Sequence, residues 1–261
     1  MEMPRRRNVV LELDAADRLI AAARMLLIDK LGKSFGSLVV TDKLDLELGA
    51  GEALGIIGPN GAGKTTLMNL ISGAIVPDAG AIRFDSRDIT ADSAQRRCRA
   101  GIARTFQIPH PFGNLSVFEN LLVAAAYGSG KREAEVVEAC GSILDMTGLL
   151  SRANRRAETL TLLERKRLEL ARALATEPRL LLLDEIAGGL TEAECALLVE
   201  TVRAIQTRGT AIIWIEHIVQ ALLAVVDRLV VLNFGRKIAE GEPRAVMASA
   251  EVREIYLGIA A

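Results

Sequence analysis

The stretch Gly58-Pro-Asn-Gly-Ala-Gly-Lys-Thr-Thr66 meets the pattern G-x-x-x-x-G-K-[ST], which is typical of a loop that binds phosphate groups. Its glycines allow backbone N–H groups to curl around phosphate oxygens at the start of a helix. Lys64 supplies a cation to the terminal phosphates, and the Thr65 hydroxyl is a ligand for Mg²⁺. An apolar strand pattern before the stretch and a helix pattern after it favour this interpretation over a chance glycine-rich turn. The stretch therefore predicts an ATP site with Mg²⁺, whose nucleotide-binding residues are Gly58, Pro59, Asn60, Gly61, Ala62, Gly63, Lys64, Thr65 and Thr66.

A second candidate element is the apolar run Leu180-Leu-Leu-Leu-Asp184, which has the pattern of a buried strand that ends in a carboxylate. Asp184 at the carboxyl end of such a strand would hold the metal ion through its hydration shell. Glu185 follows at once and would act as the general base by polarising the attacking water. Taken alone, the run also fits a core strand with solvated acids at its end. Lys64 and Thr65 upstream favour the catalytic interpretation.

Two polar residues that follow apolar strand patterns complete the candidate site. Gln107 ends the strand-like segment 102–107, where its amide would reach both the metal ion and the water. His217 follows the apolar segment 211–215, where it would donate to the γ-phosphate as charge develops there. A lone Gln or His after a strand more often satisfies the backbone, so both assignments depend on the phosphate loop. The predicted catalytic residues are Glu185, His217 and Gln107, and the predicted metal ligands are Thr65, Gln107 and Asp184.

Strand and helix patterns alternate along most of the chain, which predicts an α/β fold with a mostly parallel sheet covered by helices. Residues 1–24 have the pattern of an extension, basic at first and then Ala-rich. The part between 91 and 164 is more polar and helical, and is expected to be a helical subdomain inserted into the core. We therefore expect one domain over 25–261, with 25–90 and 165–261 as the catalytic core.

Composition excludes several classes of protein. The net charge of −1 and an aromatic content of 3% make nucleic acid a poor candidate partner. Cys98, Cys140 and Cys195 are scattered and form no CxxC pair, which argues against disulfides or a zinc site and indicates a reducing compartment. No segment approaches the ~18 uninterrupted apolar residues that a membrane-spanning helix needs.

These elements, in this order, resemble the ATP-binding subunits of ABC transporters, and the resemblance extends from roughly Met25 to the C-terminus. Within that family the chain looks most like the ATPases of branched-chain amino acid importers. The narrower resemblance rests on four stretches, Arg104-Thr-Phe-Gln107, Asn114-Leu-Ser-Val-Phe-Glu-Asn-Leu-Leu122, Arg167-Leu-Glu-Leu-Ala-Arg-Ala-Leu-Ala175, and Glu240-Gly-Glu-Pro243 to Tyr256-Leu-Gly258.

The resemblance implies the P-loop core of ABC ATPases, with an N-terminal antiparallel β region and an inserted helical subdomain. It also implies a second ATPase subunit, two membrane permeases, and indirectly a periplasmic or extracellular solute-binding protein. The chain would then lie peripherally on the cytoplasmic face of the membrane. Phe35 matches the position of the family's adenine-stacking aromatic residue, although a core aromatic between strands fits the sequence nearly as well.

The clearest departure from the family pattern is at the signature motif, which usually reads Leu-Ser-Gly-Gly-Gln. The matching positions here are Leu160, Thr161, Leu162, Leu163 and Glu164. Thr161 keeps a hydroxyl, both glycines are replaced, and Glu164 adds a negative charge where a γ-phosphate should dock. In the family this motif acts on ATP held by the partner's phosphate loop. One hypothesis is therefore a heterodimer with one strong and one weak ATP site, and the alternative is that backbone N–H groups of Leu163 and Glu164 still cap the phosphate.

Four functions compete at this point. The first is an importer ATPase for branched-chain or related amino acids. The second is an ABC ATPase for another cargo, such as urea or other amides, or lipopolysaccharide. The third is a soluble ABC ATPase outside transport, which the lack of a second ATP domain, long coiled coils or basic arms disfavours. The fourth, a nucleotide-binding regulatory module without turnover, is opposed by the presence of Lys64, Asp184, Glu185 and His217.

Overall fold

A computed structural model of the chain describes residues 24–257. The predicted extension therefore lies outside the described residues, apart from Arg24, which begins the first strand. Two β-sheets and a set of helices make up the described part. Their arrangement is α/β with a mostly parallel main sheet, as the alternating patterns predicted.

The smaller sheet is antiparallel and has the order β2-β1-β4-β5. Its strands are β1 (Arg24–Phe35), β2 (Leu38–Gly49), β4 (Ala79–Phe84) and β5 (Arg87–Asp88). Leucines at alternate positions of β2, namely Leu44, Leu46 and Leu48, are buried, because alternate side chains of a strand point to the same face of the sheet. This sheet is the predicted N-terminal antiparallel β region.

The larger sheet has the order β10-β9-β3-β8-β7-β6. Its strands are β3 (Ala53–Ile57), β6 (Ile102–Arg104), β7 (Leu180–Asp184), β8 (Ala211–Ile215), β9 (Arg228–Asn233) and β10 (Arg236–Gly241). All neighbouring pairs are parallel except β10 with β9. Every residue of β3, β7 and β8 is buried, which is typical of parallel strands covered on both faces.

The helices are α1 (Lys64–Ser72), α2 (Ala94–Arg99), α3 (Val117–Ser129), α4 (Glu133–Met146), α5 (Leu162–Ala175), α6 (Glu192–Thr207), α7 (Val219–Leu223), α8 (Pro243–Ala248) and α9 (Ala250–Leu257). Short 3₁₀ helices occupy Leu150–Arg152 and Ala157–Thr159. Ser116 caps α3 and forms a capping box with Glu119. Among the described residues no helix is both long and apolar enough to cross a bilayer.

Three apolar clusters hold these layers together. The first lies between the two sheets and contains α1, and the second packs α5, α6 and α7 on the other face of the larger sheet. The third lies among α3, α4 and α5, and is the core of the helical part. Strand β6 falls within 91–164 but belongs to the larger sheet, so the predicted subdomain range includes an edge strand of the core. All three cysteines are free, and Cys140 is buried.

Candidate active site

The carboxyl ends of β3, β8, β7 and β6 lie side by side along one edge of the larger sheet. Each of these strands is followed at once by a polar loop. Because parallel strands deliver their following loops to the same edge, residues far apart in sequence meet there. This edge carries the candidate active site.

The phosphate loop connects β3 to α1, and its backbone geometry requires glycine. Gly63 stands at the N-cap of α1 with φ of 98°, and a Cβ there would lie 2.5 Å from the carbonyl oxygen of Val40. Gly61 has φ of 82°, and a Cβ there would meet nothing within 4 Å, so the loop is open on that side. A loop with an open concave side at a helix N-terminus suits a phosphate group.

Lys64 is buried, and its ammonium group folds back onto the phosphate loop. Nζ donates to the carbonyl oxygen of Gly58 at 2.6 Å and to that of Pro59 at 3.0 Å. Burial lowers the pKa of Lys64, while the charges of Glu185 and Asp184 act in the opposite direction. The ammonium group is thus held at the phosphate loop by two charge-assisted hydrogen bonds to backbone carbonyl groups.

Gln107 and His217 converge on the carboxylate of Glu185. Nε2 of Gln107 donates to Oε2 of Glu185 at 2.5 Å, and Nε2 of His217 lies 2.7 Å from Oε1. The three side chains come from the loops after β6, β7 and β8. The structure therefore brings together all three predicted catalytic residues.

Asp184 is nearly buried and pairs with a cation that the sequence analysis did not assign. Its Oδ2 accepts a hydrogen bond from Nη2 of Arg104 at 2.7 Å, and Nη1 of Arg104 donates to Oδ1 of Asn69 at 2.5 Å. Arg104 ends β6 and Asn69 lies on α1. A charged residue ending an apolar strand beside Gln107 was the available signal for Arg104, whereas nothing local distinguished Asn69.

Glu216 and Lys166 were also missed. Glu216 is buried beside His217, and burial raises the pKa of its carboxyl, although backbone N–H groups of Ala187, His217 and Ile218 act against the rise. Lys166 is buried on α5, and Nζ donates to the carbonyl oxygen of Glu185 at 3.4 Å. Burial lowers the pKa of Lys166, and the charges of Glu216 and Glu185 oppose that effect.

The residues predicted to bind a metal fit Mg²⁺ better than a tightly ligated transition metal. Thr65, Asp184 and Gln107 offer oxygen donors, which Mg²⁺ prefers, and they leave most of its coordination to water and phosphate. Over residues 24–257 no group of three or more His, Cys, Asp or Glu side chains is placed to hold a metal ion. Oxygen donors of this kind suit a cation whose other ligands are water and phosphate.

Phe35 and part of the signature segment are exposed at the surface. Phe35 ends β1 and is 52% exposed, and Lys33 Nζ lies 5.7 Å from its ring centroid. This exposure argues against the core-aromatic alternative. Leu162, at the first replaced glycine position, is exposed and lies close to Gly189. A Cβ added to Gly189 would lie 3.4 Å from Cδ2 of Leu162.

Glu164 is engaged within its own chain. Its Oε2 accepts the N–H of Thr161 at 3.0 Å, its own N–H donates to the Thr161 hydroxyl at 3.3 Å, and Oε1 accepts from Nε of Arg152 at 2.8 Å. These bonds form a capping box at the start of α5. The Arg152 guanidinium and the Thr161 N–H hold the pKa of the Glu164 carboxyl below its usual range.

Comparison with known proteins gives a consistent set of similarities. A family model described as ABC transporter matches residues 41–188. The high-affinity branched-chain amino acid transport ATP-binding protein LivG of Salmonella typhimurium is 35% identical over 249 residues, covering 90% of this chain and 98% of LivG. The corresponding protein BraF of Pseudomonas aeruginosa is 33% identical, over 86% of this chain and 94% of its own.

Other similar proteins differ in cargo or have solved structures. The Nod factor export ATP-binding protein I of Paraburkholderia xenovorans is 37% identical, over 87% of this chain and 75% of that protein. The ADP conformation of MJ1267, an ATP-binding cassette of an ABC transporter, is 32% identical with a TM-score of 0.83, covering 90% of this chain and 99% of that one. A nucleotide-free cassette from an ABC transporter has a TM-score of 0.82 at 30% identity, over 90% and 100% of the two chains.

Proposed function

Because this chain belongs to the ABC transporter family, we propose that it is the ATP-hydrolysing subunit of an importer for branched-chain or related amino acids. The observation that carries hydrolysis is the convergence of Gln107 and His217 on Glu185 beside an intact phosphate loop. The cargo rests on LivG and BraF, which are named as branched-chain amino acid transport proteins and are matched over nearly their whole lengths.

We assign the following chemistry to these side chains. Glu185 is the general base that polarises the attacking water, and His217 donates to the γ-phosphate as charge develops. Both carboxylate oxygens of Glu185 are engaged, by Gln107 and His217. Each carboxylate oxygen has a second lone pair, so Glu185 can still accept from an attacking water while Gln107 and His217 hold its orientation.

The phosphate loop and its neighbours would bind MgATP. Lys64 and the backbone N–H groups of Gly58 and 60–66 would hold the phosphates. Thr65, Asp184 and Gln107 would hold Mg²⁺ directly or through water. When bound, the cation neutralises charge on the phosphates. Phe35, exposed at the end of β1, would stack on adenine for about 1 kcal/mol.

The partners in this proposal are a second ATPase subunit and two membrane permeases, with an external solute-binding protein acting indirectly. The chain would lie peripherally on the cytoplasmic face of the membrane. A related cassette of known structure, 26% identical with a TM-score of 0.79, is described as part of an ABC transporter complex. Binding of ATP would bring the two ATPase subunits together, and hydrolysis would release them.

A second candidate is an ABC ATPase for a different cargo. The Nod factor export protein is 37% identical, a higher value than LivG has, although it is matched over only 75% of its length. Urea or other amides and lipopolysaccharide remain candidates of the same kind.

Co-purification tests the transporter function directly. The full chain, tagged and isolated from membranes of its native cells in mild detergent, should bring down integral membrane proteins together with a second ATPase. As the control, the same isolation is carried out on a sample from which the detergent-solubilised membranes have first been removed. Purification with no integral membrane partner would contradict the transporter role, and partners that transport another solute would favour the second candidate.

We further propose that the two ATP sites of the assembled pair are unequal. Glu164 stays ionised at the start of α5, and its N–H is already bonded to Thr161. Both features disfavour binding, at this surface, of the γ-phosphate of an ATP held by a second subunit. Arg152 offsets part of the negative charge of Glu164. The site on this chain's own phosphate loop would then be the strong one, closed by the partner's signature motif.

Replacement of Glu185 by Gln in the assembled complex tests this asymmetry. Removal of the main general base should lower turnover by about 100-fold or more, while MgATP affinity stays close to native. ATP hydrolysis and mant-ATP binding are the two measurements. The equivalent substitution in the second ATPase is the matched control, with a smaller expected loss. Retention of most turnover by Glu185→Gln would refute the assignment of Glu185 as the main base.

A further inference from the structure

Glu216 joins the two loops that carry Glu185 and His217. Its Oε1 accepts the N–H of Ala187 at 2.5 Å, and its Oε2 accepts the N–H of His217 at 3.1 Å. Ala187 lies two residues after Glu185, so one carboxylate touches the backbone of both loops. The side chain is 1% exposed and both of its oxygens are engaged, so it is closed to substrate and water. Glu216 is therefore no second base.

Glu185 has a backbone conformation that needs support. Its φ is 47°, a left-handed value that is strained for a residue with a Cβ. Such conformations persist when surrounding contacts over-determine them. Here the N–H of Glu185 donates to the carbonyl oxygen of Ile215 at 2.9 Å, and its own carbonyl oxygen accepts from Lys166. Glu216 holds the segment two residues further on.

Lys166 brings a positive charge close to Glu216 and Glu185 from a separate element, helix α5. It lies on α5, the helix that begins at the altered signature segment, and its side chain is buried. Its ammonium group interacts electrostatically with both Glu216 and Glu185. The contact at the Glu185 carbonyl places α5 directly against the loop that carries the proposed base.

We propose that Glu216 is a positioning residue that sets Glu185 and His217 relative to each other, and that Lys166 connects this pair to helix α5. The inference rests on the proposed roles of Glu185 and His217. Two backbone N–H bonds to one buried carboxylate, from loops after adjacent strands, are the observation that carries it.

The test is Glu216→Gln in the full chain. A glutamine has nearly the same shape but only one acceptor oxygen, so its NH₂ group faces one of the two N–H donors. We expect mant-ATP affinity within about twofold of native, and kcat at saturating MgATP lowered about tenfold to a hundredfold by misplacement of the catalytic groups. The chain contains two histidines, so imidazole NMR distinguishes them easily. The His217 signals should shift or broaden, while those of His110 stay in place.

Three variants make the outcome decisive. Glu200→Gln, on an exposed position of α6, is the matched control and should behave as native in all three measurements. If Glu216→Gln folds poorly, Glu216→Gln with Lys166→Met removes both buried charges together, and it should fold yet remain slow. Glu185→Gln tests the proposed base independently. Native turnover in Glu185→Gln would refute the proposed role of Glu185, whereas native turnover in Glu216→Gln alone would refute only the positioning role of Glu216.

Native kcat together with unshifted His217 signals in Glu216→Gln would overturn the inference. Recovery of native turnover in the double variant would also overturn it. Loss of folding in both variants would assign Glu216 a purely structural role, and would overturn it as well.

Discussion

Arg104 and Asp184 form an ion pair in which both side chains are almost shielded from water, with 8% and 6% of their surfaces exposed. The guanidinium group also reaches Asn69 on α1, so it connects the β7 carboxylate to the helix that follows the phosphate loop. Desolvated pairs of this kind contribute little net stability as a unit, but loss of one partner leaves a buried charge uncompensated. The main effect of removing Arg104 would therefore be to leave the Asp184 carboxylate buried without its partner.

Replacement of Arg104 by Met should lower the free energy of unfolding by about 3 kcal/mol, because the Asp184 carboxylate loses its partner. Urea denaturation of the nucleotide-free chain measures this. MgATP should restore more stability to the variant than to the native chain, since a bound cation would supply charge beside Asp184.

The matched control for Arg104→Met is Arg179→Met. Arg179 pairs with Asp85 on the surface, where 57% and 36% of the side chains are exposed. A pair this exposed contributes less than about 1 kcal/mol. Equal losses in the two variants would contradict the special role of the buried pair.

Among the elements, α1 is held at both ends by different means. Its N-terminus begins at the phosphate loop, and at its C-terminus Gly73 adopts a left-handed conformation with φ of 77°. Arg97 lies fully buried against this end and donates to the carbonyl oxygens of Leu70 at 2.5 Å and Ile71 at 2.9 Å. A cation at a helix C-terminus satisfies its last carbonyls and complements the helix dipole.

Arg97 also donates to the carbonyl oxygens of Thr90 and Asp92, so one side chain serves four acceptors. Replacement by Met should cost about 3 kcal/mol of unfolding free energy or more, because several buried carbonyls lose their donor. The neighbour Arg96, whose side chain is 74% exposed, provides the control Arg96→Met with little expected change. The denaturant midpoints of Arg97→Met and Arg96→Met are compared with that of the native chain. A native midpoint in Arg97→Met would contradict this account of the end of α1.

At the scale of the whole molecule, the site is assembled by strand order. Because β3, β8, β7 and β6 are neighbours and parallel, their four following loops share one edge. The signature segment begins α5, where Glu164 pairs with Arg152. The proposal that this segment acts on ATP held by a second subunit means that each ATP site needs both subunits.

The isolated chain should therefore bind MgATP but hydrolyse it slowly, with a specific activity that depends on chain concentration. Half of the proposed site would come from a second subunit, so association limits turnover at low concentration. Phosphate release measured over a dilution series checks this, with Glu185→Gln as the inactive control. Fast turnover that does not change on dilution would contradict the two-subunit site.

Short segments of the sequence by themselves indicated the phosphate loop, the acidic pair after β7, and a strand before the loop with a helix after it. The structure has that strand as β3 (Ala53–Ile57) and that helix as α1 (Lys64–Ser72). Strand β6 is shorter than expected, since it ends at Arg104 and leaves Gln107 in the following loop. These features were readable because glycine conformation, apolar periodicity and helix caps act within one turn or one strand.

Only the tertiary structure decided which of these side chains touch. Gln107 meets Glu185 across 78 residues, and Arg104 meets Asp184 across 80. Local patterns contain no information on such pairs, because strand order and register place them. The same holds for Glu164, whose charge was evident but whose partner Arg152 was not. It also holds for Glu216, to which the sequence pattern assigned no role. Their surroundings, rather than their identities, set what these carboxylates do.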